Sequence, residues 1–244
     1  MIQQFDQRNK DIKVWINGEL LDRDQAKVSV FDSSVQGGDA VWEGIRVYNG
    51  RIFCFEQHLN RLMESAKSLD FKDIPTLENI KDAVFSTLKA NGMKDDTHIR
   101  LTLTRGEKIT SGMNPELNQL GCTLIVLAEW KSAVFFEKEI CLVTSNIRRN
   151  SPLCLDSKIH HANLINNILA KIEANNAGVD DAVMLDLNGF VAETNATNIF
   201  MIKNAVVITP YPTACLPGIT RGLIIEICKN NNITLLQQDI SVTC

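Results

Sequence analysis

Hydrophobic positions recur at two periods along this chain, and the period switches at recognisable turns. Residues 14–17 and 27–31 read as strands around the Asn17-Gly18 turn, and 41–48 and 51–55 as strands around Asn49-Gly50, dipeptides that favour tight hairpins. From 56 to 69 the spacing becomes three and four, so that Leu59, Leu62, Met63, Ala66 and Leu69 share one helical face. Ile80, Val84 and Leu88 repeat it over 77–91, where Gly92 suits the helix end. Alternation returns in THIRLTLT at 97–104, and 122–128 is a near-continuous apolar strand. The first half thus predicts a small α/β domain.

At 129–137 the apolar strand gives way to the mixed segment EWKSAVFFE, which we read as the domain boundary. The division is a small N-terminal domain over 1–129, a linker over 130–136 and a larger C-terminal domain over 137–244. The second half predicts strand 140–145, helix 159–177, strands 182–186 and 190–194 around Asn188-Gly189, and strands 198–202 and 206–209. Helix 219–231 and strand 233–242 follow. Cys244 comes directly after a strand-like run with no closing helix or polar tail, so the C-terminal domain reads as truncated.

Composition narrows the partners. The 244 residues are 45% hydrophobic and 22% charged, an ordinary globular balance. A formal net charge of -4 argues against a general nucleic-acid or anionic-membrane binder while leaving room for a local anion pocket. The seven cysteines form no C-x-x-C pair and no zinc-ligand spacing, which we read as reduced thiols, no metal site and a cytoplasmic location. The opening residues lack an apolar signal core, and no run approaches membrane-spanning length.

Four segments carry candidate chemistry. Lys158 precedes the predicted helix of SKIHHANLINNILAKIEANNAG, whose stripe is Leu164, Ile165, Ile168, Leu169 and Ile172. A lysine at a helix start is ordinarily a solvated charge, but positive surroundings and desolvation there would free its amine for imine formation. In NGFVAETNATNIF, Glu193 ends a hairpin strand. Such an acid is normally solvated, unless a pyridinium nitrogen needs a carboxylate to stay protonated. In CLPGITRGLIIEI, Gly218 opens a helix, and the amides of Ile219 and Thr220 could hold a phosphate or merely follow a turn. In GGDAVWEGIRVYNGRIFCFEQHLNRL, Arg61 reads as a surface arginine or, pointing inward, as a phosphate fork. His160 and His161 beside Lys158 lack a carboxylate or cysteine at ligand spacing and are expected to pack or bond locally.

In this order, WEGIRVYNGRIFCFEQHLNRL, DSKIHHANLINNILAKIEA, GFVAETNATNIF and LPGITR resemble the class IV pyridoxal-phosphate aminotransferases, the family of branched-chain and D-amino-acid aminotransferases, over about residues 14–242. The resemblance implies a two-domain α/β fold of fold type IV, usually a homodimer, with pyridoxal 5'-phosphate as cofactor. It implies that Lys158 is the catalytic Schiff-base lysine that shuttles the substrate proton, that Glu193 bonds the pyridine nitrogen, and that Arg61 with the amides of Ile219 and Thr220 holds the phosphate. Where branched-chain enzymes generally carry a tyrosine five positions after the lysine, this chain has Asn163, whose amide could bond the cofactor's phenolate oxygen. Relatives also supply a further strand, a Gly-Thr phosphate contact and a closing helix beyond the position of Cys244.

EGIR at 43–46, Arg100 and MNP at 113–115 are similar to the branched-chain subgroup, which exchanges the amino group of leucine, isoleucine or valine with 2-oxoglutarate. Arg46 and Arg100 are candidates for the substrate carboxylate, although Arg100 on an alternating strand reads equally as a surface residue. TRG at 104–106 resembles instead the D-amino-acid aminotransferases and aminodeoxychorismate lyases. A third reading is a non-catalytic cofactor-binding fragment, motivated by the abrupt end.

Overall fold

The structure, a computed structural model of the chain, describes residues 4–132 and 139–242. It divides into two units: Ile2–Val134 with His160–Asn163, and Phe135–Ile159 with Leu164–Cys244.

The two Asn-Gly turns set the strand order of the first unit. Asn17 and Gly18 take positive φ (46° and 102°), as do Asn49 and Gly50 (48° and 76°), the backbone that a two-residue hairpin requires. Strand β1 (Lys13–Ile16) therefore folds straight back on β2 (Glu19–Asp22), with Lys13 opposite Asp22 and Ile16 opposite Glu19. The strand expected at 27–31 does not form, because so tight a turn leaves no slack for a partner ten residues on. Helix α1 (Ser33–Gly37) follows, capped by Asp32. Strand β3 (Ala40–Tyr48) and the short β4 (Arg51–Ile52) make the second hairpin. With β5 (Thr97–Thr104) and β6 (Thr123–Trp130) they complete a six-stranded antiparallel sheet, ordered β2-β1-β6-β5-β3-β4.

Helices α2 (Phe55–Ser68) and α3 (Leu77–Ala90) cover one face, α2 on β3 and α3 on β1 and β6. Alternate strand residues such as Val41, Ile45, Ile99 and Leu101 are fully buried with Leu59 and Leu62 of α2, each burial contributing roughly 1.5–3 kcal/mol. The intervening positions, Trp42, Gly44 and Arg46 on β3 and His98, Arg100 and Thr102 on β5, lie on the other face and are only partly buried.

His160–Asn163 belong to this first unit because they extend the start of β3: His161 bridges Val41, the Trp42 amide donates to the His160 carbonyl at 3.0 Å, and the Ala162 amide to the Ala40 carbonyl at 2.8 Å. The helix expected to begin at 159 therefore starts only at Ile165. Of the expected linker at 130–136, Trp130 is the last residue of β6 and the Lys131 amide bonds the Asp96 carbonyl; residues 133–136 lie outside the described residues.

In the second unit, β7 (Leu142–Thr144) and β8 (Asp181–Leu185) run parallel and are connected through α4 (Ile165–Asn176), while β9 (Val191–Thr194) returns antiparallel. A second three-stranded sheet pairs β10 (Met201–Lys203) with β11 (Val206–Thr209), and β11 in parallel with β12 (Leu235–Gln237) after α5 (Ile219–Asn230). Helix α4 reverses the expected orientation. It buries Ala170 and Ala174 against Ala182 and Met184, whereas Ile165, Ile168, Leu169 and Ile172 are exposed. Small side chains let the helix backbone approach β8 closely, which a face of branched residues would prevent. The expected strand 233–242 is reduced to β12 and an isolated bridge from Ser241 to Phe190. Among the described residues no helix is long and apolar enough to cross a membrane.

Candidate functional site

Three of the sequence-predicted features fall in the second unit. Lys158 lies in an irregular turn seven positions before α4, not at a helix start, so no helix dipole acts on it. Asp156 builds the turn: its carboxylate accepts from the Lys158 amide at 3.0 Å and its carbonyl from the Ile159 amide at 3.0 Å. The half-exposed Lys158 Nζ stands 3.2 Å from Asp156 Oδ2. Its neighbour is an acid, where the sequence reading called for positive surroundings. Beside it the Ser157 Oγ is buried without a hydrogen-bond partner among the described residues.

Glu193 is not the solvated strand-end acid that its position suggested. It is buried in β9, with Arg149 Nη2 at 3.0 Å from Oε1 and Asn198 Nδ2 at 3.2 Å from Oε2. Burial lifts its carboxyl to about 7, against the opposing pull of Arg149 and of the Leu216 amide. Arg149 also donates to Asn167 Oδ1 and the Ala214 carbonyl, which fixes its fork. Neither Arg149 nor Asn198 was singled out from sequence, although Arg148-Arg149-Asn150 before Ser151-Pro152 was a visible polar run.

Glycine at 218 is a steric requirement, since a Cβ there would sit 2.1 Å from Asn198 Oδ1. Gly218 caps α5 without a side-chain bond, so the amides of Ile219 and Thr220 open the helix with no intrahelical acceptor. Three positions after Gly218, the buried Arg221 donates from Nη2 to the Pro210 carbonyl and Gln237 Oε1, each at 2.8 Å, while its Nε has no partner among the described residues. Burial lowers its pKa.

In the first unit, Arg61 points inward. On α2, His58, Arg61 and Ser65 fall three and four apart and so share a side of the helix. They meet Glu43, wholly buried on the helix-facing side of β3. Arg61 grips it bidentately, Nε to Oε1 at 2.8 Å and Nη2 to Oε2 at 2.6 Å; His58 Nδ1 donates to Oε2 at 2.6 Å, and His160 Nδ1 lies 3.1 Å from Oε1. Burial alone would raise the Glu43 pKa, but the bonds from Arg61, His160 and His58 together hold it well below the usual carboxylate range. His160, expected to bond locally, thus reaches a partner 117 positions away, and its amide donates to Ser65 Oγ at 3.1 Å. Burial keeps its imidazole below its ordinary pKa despite Glu43.

The two candidate substrate arginines separate. Arg46 is occupied: Nη1 donates to the Lys131 carbonyl, Nη2 lies 3.3 Å from Asp96 Oδ1, and Nε bonds Tyr48 Oη. Arg100 joins none of the ion pairs found among the described residues. Its guanidinium stacks 3.4 Å from the Trp42 ring centroid, and burial lowers it to about 10. Gly44, directly opposite Arg100, keeps this face open, since a Cβ there would meet His98 Nε2 at 3.1 Å and the Trp42 ring at 3.4 Å. His98 is held neutral, down to about 4, by burial and then by Lys131, Arg46 and Arg100. Asn163 donates from Nδ2 to the Gly38 carbonyl at 2.9 Å.

TRG at 104–106 has a structural use. Thr104 bonds the buried Asp32, Arg105 pairs with Asp39 at 2.5 Å, and a Cβ at Gly106 would lie 1.8 Å from the Gly121 carbonyl oxygen.

The groups in the second unit fit pyridoxal phosphate: a primary amine for its carbonyl carbon, a buried acid of raised pKa for its ring nitrogen, and uncapped helix amides for its phosphate.

Comparison with known proteins gives a consistent answer. The sequence profile of the family described as amino-transferase class IV matches residues 40–243. The "branched-chain-amino-acid aminotransferase-like protein 2" of Arabidopsis thaliana is 59% identical over 236 residues, 96% of this chain; the chain spans 42% of that relative's length. Among solved structures, a branched-chain aminotransferase of the archaeon Thermoproteus uzoniensis with norvaline matches at a TM-score of 0.87 and 30% identity, covering 96% of this chain and 80% of the other. A T.th. branched-chain amino acid aminotransferase complexed with N-(5'-phosphopyridoxyl)-L-glutamate matches with a TM-score of 0.87 and 30% identity, over 96% of this chain and 78% of the other.

Proposed function

The chain belongs to the class IV aminotransferases, of fold type IV, and from that premise we propose that it carries out pyridoxal-phosphate-dependent transamination of branched-chain L-amino acids with 2-oxoglutarate. The observation that carries the reading is Glu193: a carboxyl buried beside Arg149 and raised to about 7, in the same unit as Lys158 and the uncapped start of α5. A buried acid so poised matches a ring nitrogen that must keep its proton.

Pyridoxal phosphate, when bound, supplies the electron sink for the bond between the substrate's Cα and its hydrogen. Lys158 would hold the cofactor's carbonyl carbon through its amine, and the same amine, once freed, would carry the substrate proton from Cα to that carbon and back in the reverse half-reaction. Asp156 Oδ2, 3.2 Å from Nζ in the structure, is the resting partner that the lysine leaves. Glu193 holds the proton at the ring nitrogen, and Arg149 with Asn198 holds Glu193. The amides of Ile219 and Thr220 and the guanidinium of Arg61 take phosphate oxygens, and Asn163 takes the phenolate oxygen. Arg100 takes a substrate carboxylate. Stacked on Trp42 and outside every ion pair among the described residues, it can give its fork to an incoming anion, a role that Arg46 has already given to the Lys131 carbonyl and Asp96.

The test is an absorption titration with pyridoxal phosphate on the parent chain and Lys158→Ala, followed by a panel of amino donors. A visible band lost in Lys158→Ala, and bleached by L-leucine but not by D-alanine in the parent, is expected. Turnover of D-alanine with no response to leucine would overturn the substrate assignment. Absence of any band would overturn the cofactor assignment.

A further inference from the structure

The Glu43 centre does more than satisfy a buried charge. One carboxylate, with no exposed surface, gathers Arg61 and His58 from α2 and His160 from the segment that continues two residues after Lys158. A guanidinium held at Nε and Nη2 has both its plane and its outward edge fixed, which a single bond could not do. His160 is held from three sides: its ring by Glu43 and, at 4.1 Å between centroids, by Trp42; its amide by Ser65; its carbonyl by the Trp42 amide. Such a network could serve folding alone if its members had no further task. Yet the proposed function gives Arg61 the cofactor phosphate and Lys158 the cofactor carbonyl, and both chain segments end on Glu43.

We infer that Glu43 is a positioning residue of the cofactor site, fixing through direct bonds the orientation of the Arg61 guanidinium toward the phosphate and, through His160, the placement of the segment that bears Lys158. This rests on the proposed function, since it presumes pyridoxal phosphate as the ligand. The role is geometric, not electrostatic. By charge alone Glu43 opposes a phosphate, because it offsets the positive charge of Arg61, so a charge argument and a positioning argument predict opposite outcomes. The groups facing Glu43 are Arg61 and His58 of α2 and His160, and the charges of Arg61 and Arg100 also bear on the His160 ring.

The inference is tested on the full chain by titrating pyridoxal phosphate and, separately, unphosphorylated pyridoxal, with phosphorus NMR of the bound cofactor. Glu43→Asp keeps the charge but is one methylene too short. It is expected to weaken pyridoxal phosphate by at least about tenfold and to move the phosphorus resonance, leaving pyridoxal unchanged. Glu43→Gln, which removes the opposing charge, is also expected to weaken pyridoxal phosphate. Tighter binding in Glu43→Gln, or both variants within about twofold of the parent with an unmoved resonance, would overturn the inference. Should neither variant fold by circular dichroism, His160→Asn decides. It leaves the Glu43–Arg61 bonds in place while removing the 3.3 Å contact of Arg61 Nη2 with the His160 ring, and the lysine-linked band is expected to form at least about tenfold more slowly; a parental rate overturns the inference. A parent chain that takes up no pyridoxal phosphate overturns the proposed function and this inference together, whereas variants that match a binding parent overturn this inference alone.

Discussion

Two buried glutamates in this chain each face an arginine and titrate in opposite directions. Glu43 receives four contacts, two from Arg61 and one each from His58 and His160, and stays charged far below the usual range. Glu193 has one arginine nitrogen at 3.0 Å, one amide at 3.2 Å and the Leu216 amide, and burial prevails, lifting it to about 7. The difference is one of completeness. A carboxylate whose lone pairs are all met is a finished structural joint, while one left short retains capacity for a ligand proton. Elsewhere in the unit that holds Glu193, and among the described residues, the uncapped α5 amides, Arg221 Nε and Ser157 Oγ are also left short. Polar groups left short inside a fold cost stability, and sites that bind ligands tolerate that cost.

The largest expected effect breaks the complete centre. Glu43→Leu takes the bidentate carboxylate from the part-buried Arg61 and should cost roughly 3–5 kcal/mol, read as a lower urea midpoint at unchanged m-value. A loss below about 1 kcal/mol would show that the network is not the joint described. Next comes the pH dependence of the incomplete centre. Glu193 holds its proton more tightly folded than unfolded, so its contribution is present below about 4.5 and is lost as pH rises through about 7. Unfolding of the cofactor-free parent compared with Glu193→Gln should therefore diverge by on the order of 3 kcal/mol across that window, with the parent losing ground as pH rises. Parallel curves would place Glu193 in a wetter setting. The smallest effect sharpens the comparison: His58→Gln removes one contact of four from Glu43, and a loss of about 1 kcal/mol in thermal unfolding is expected. A loss as large as that of Glu43→Leu would mean that His58, not Arg61, dominates.

How much of this was legible in the sequence depended on where each residue found its partner. Strands β3 and β5 and helices α2 and α3 followed their periods closely, because local pattern and core face agree there. The strand at 27–31 was misread because its alternation outweighed the turn rule, although Asn17-Gly18 demands that residues 19–22 pair back at once. The late start of α4 was invisible, since β3, over a hundred positions away, pairs with 160–162 and holds them extended. The stripe of α4 misled because amphipathicity names an apolar face, not what covers it; the two alanines make the closer contact. For the candidate site, Lys158, Glu193, Ile219 and Thr220 were singled out from motif order. Their immediate partners Asp156, Arg149 and Asn198 were not, since single polar residues in loops carry no period. Arg61 was singled out and its holder Glu43 was not, because a glutamate in an alternating strand gives no sign that it is the buried one.

The membership of His160–Asn163 in the first unit has a consequence for the order in which the protein is made. A ribosome that has released residues 2–134 has released a sheet whose β3 still lacks its neighbour at 160–162 and a Glu43 that still lacks His160. At about 5–20 residues per second, the missing piece emerges a few seconds later. Until then the nascent first unit carries a buried carboxylate one donor short. It finishes folding only after Lys158 has been translated, so completion of the first unit waits on synthesis of the opening stretch of the second.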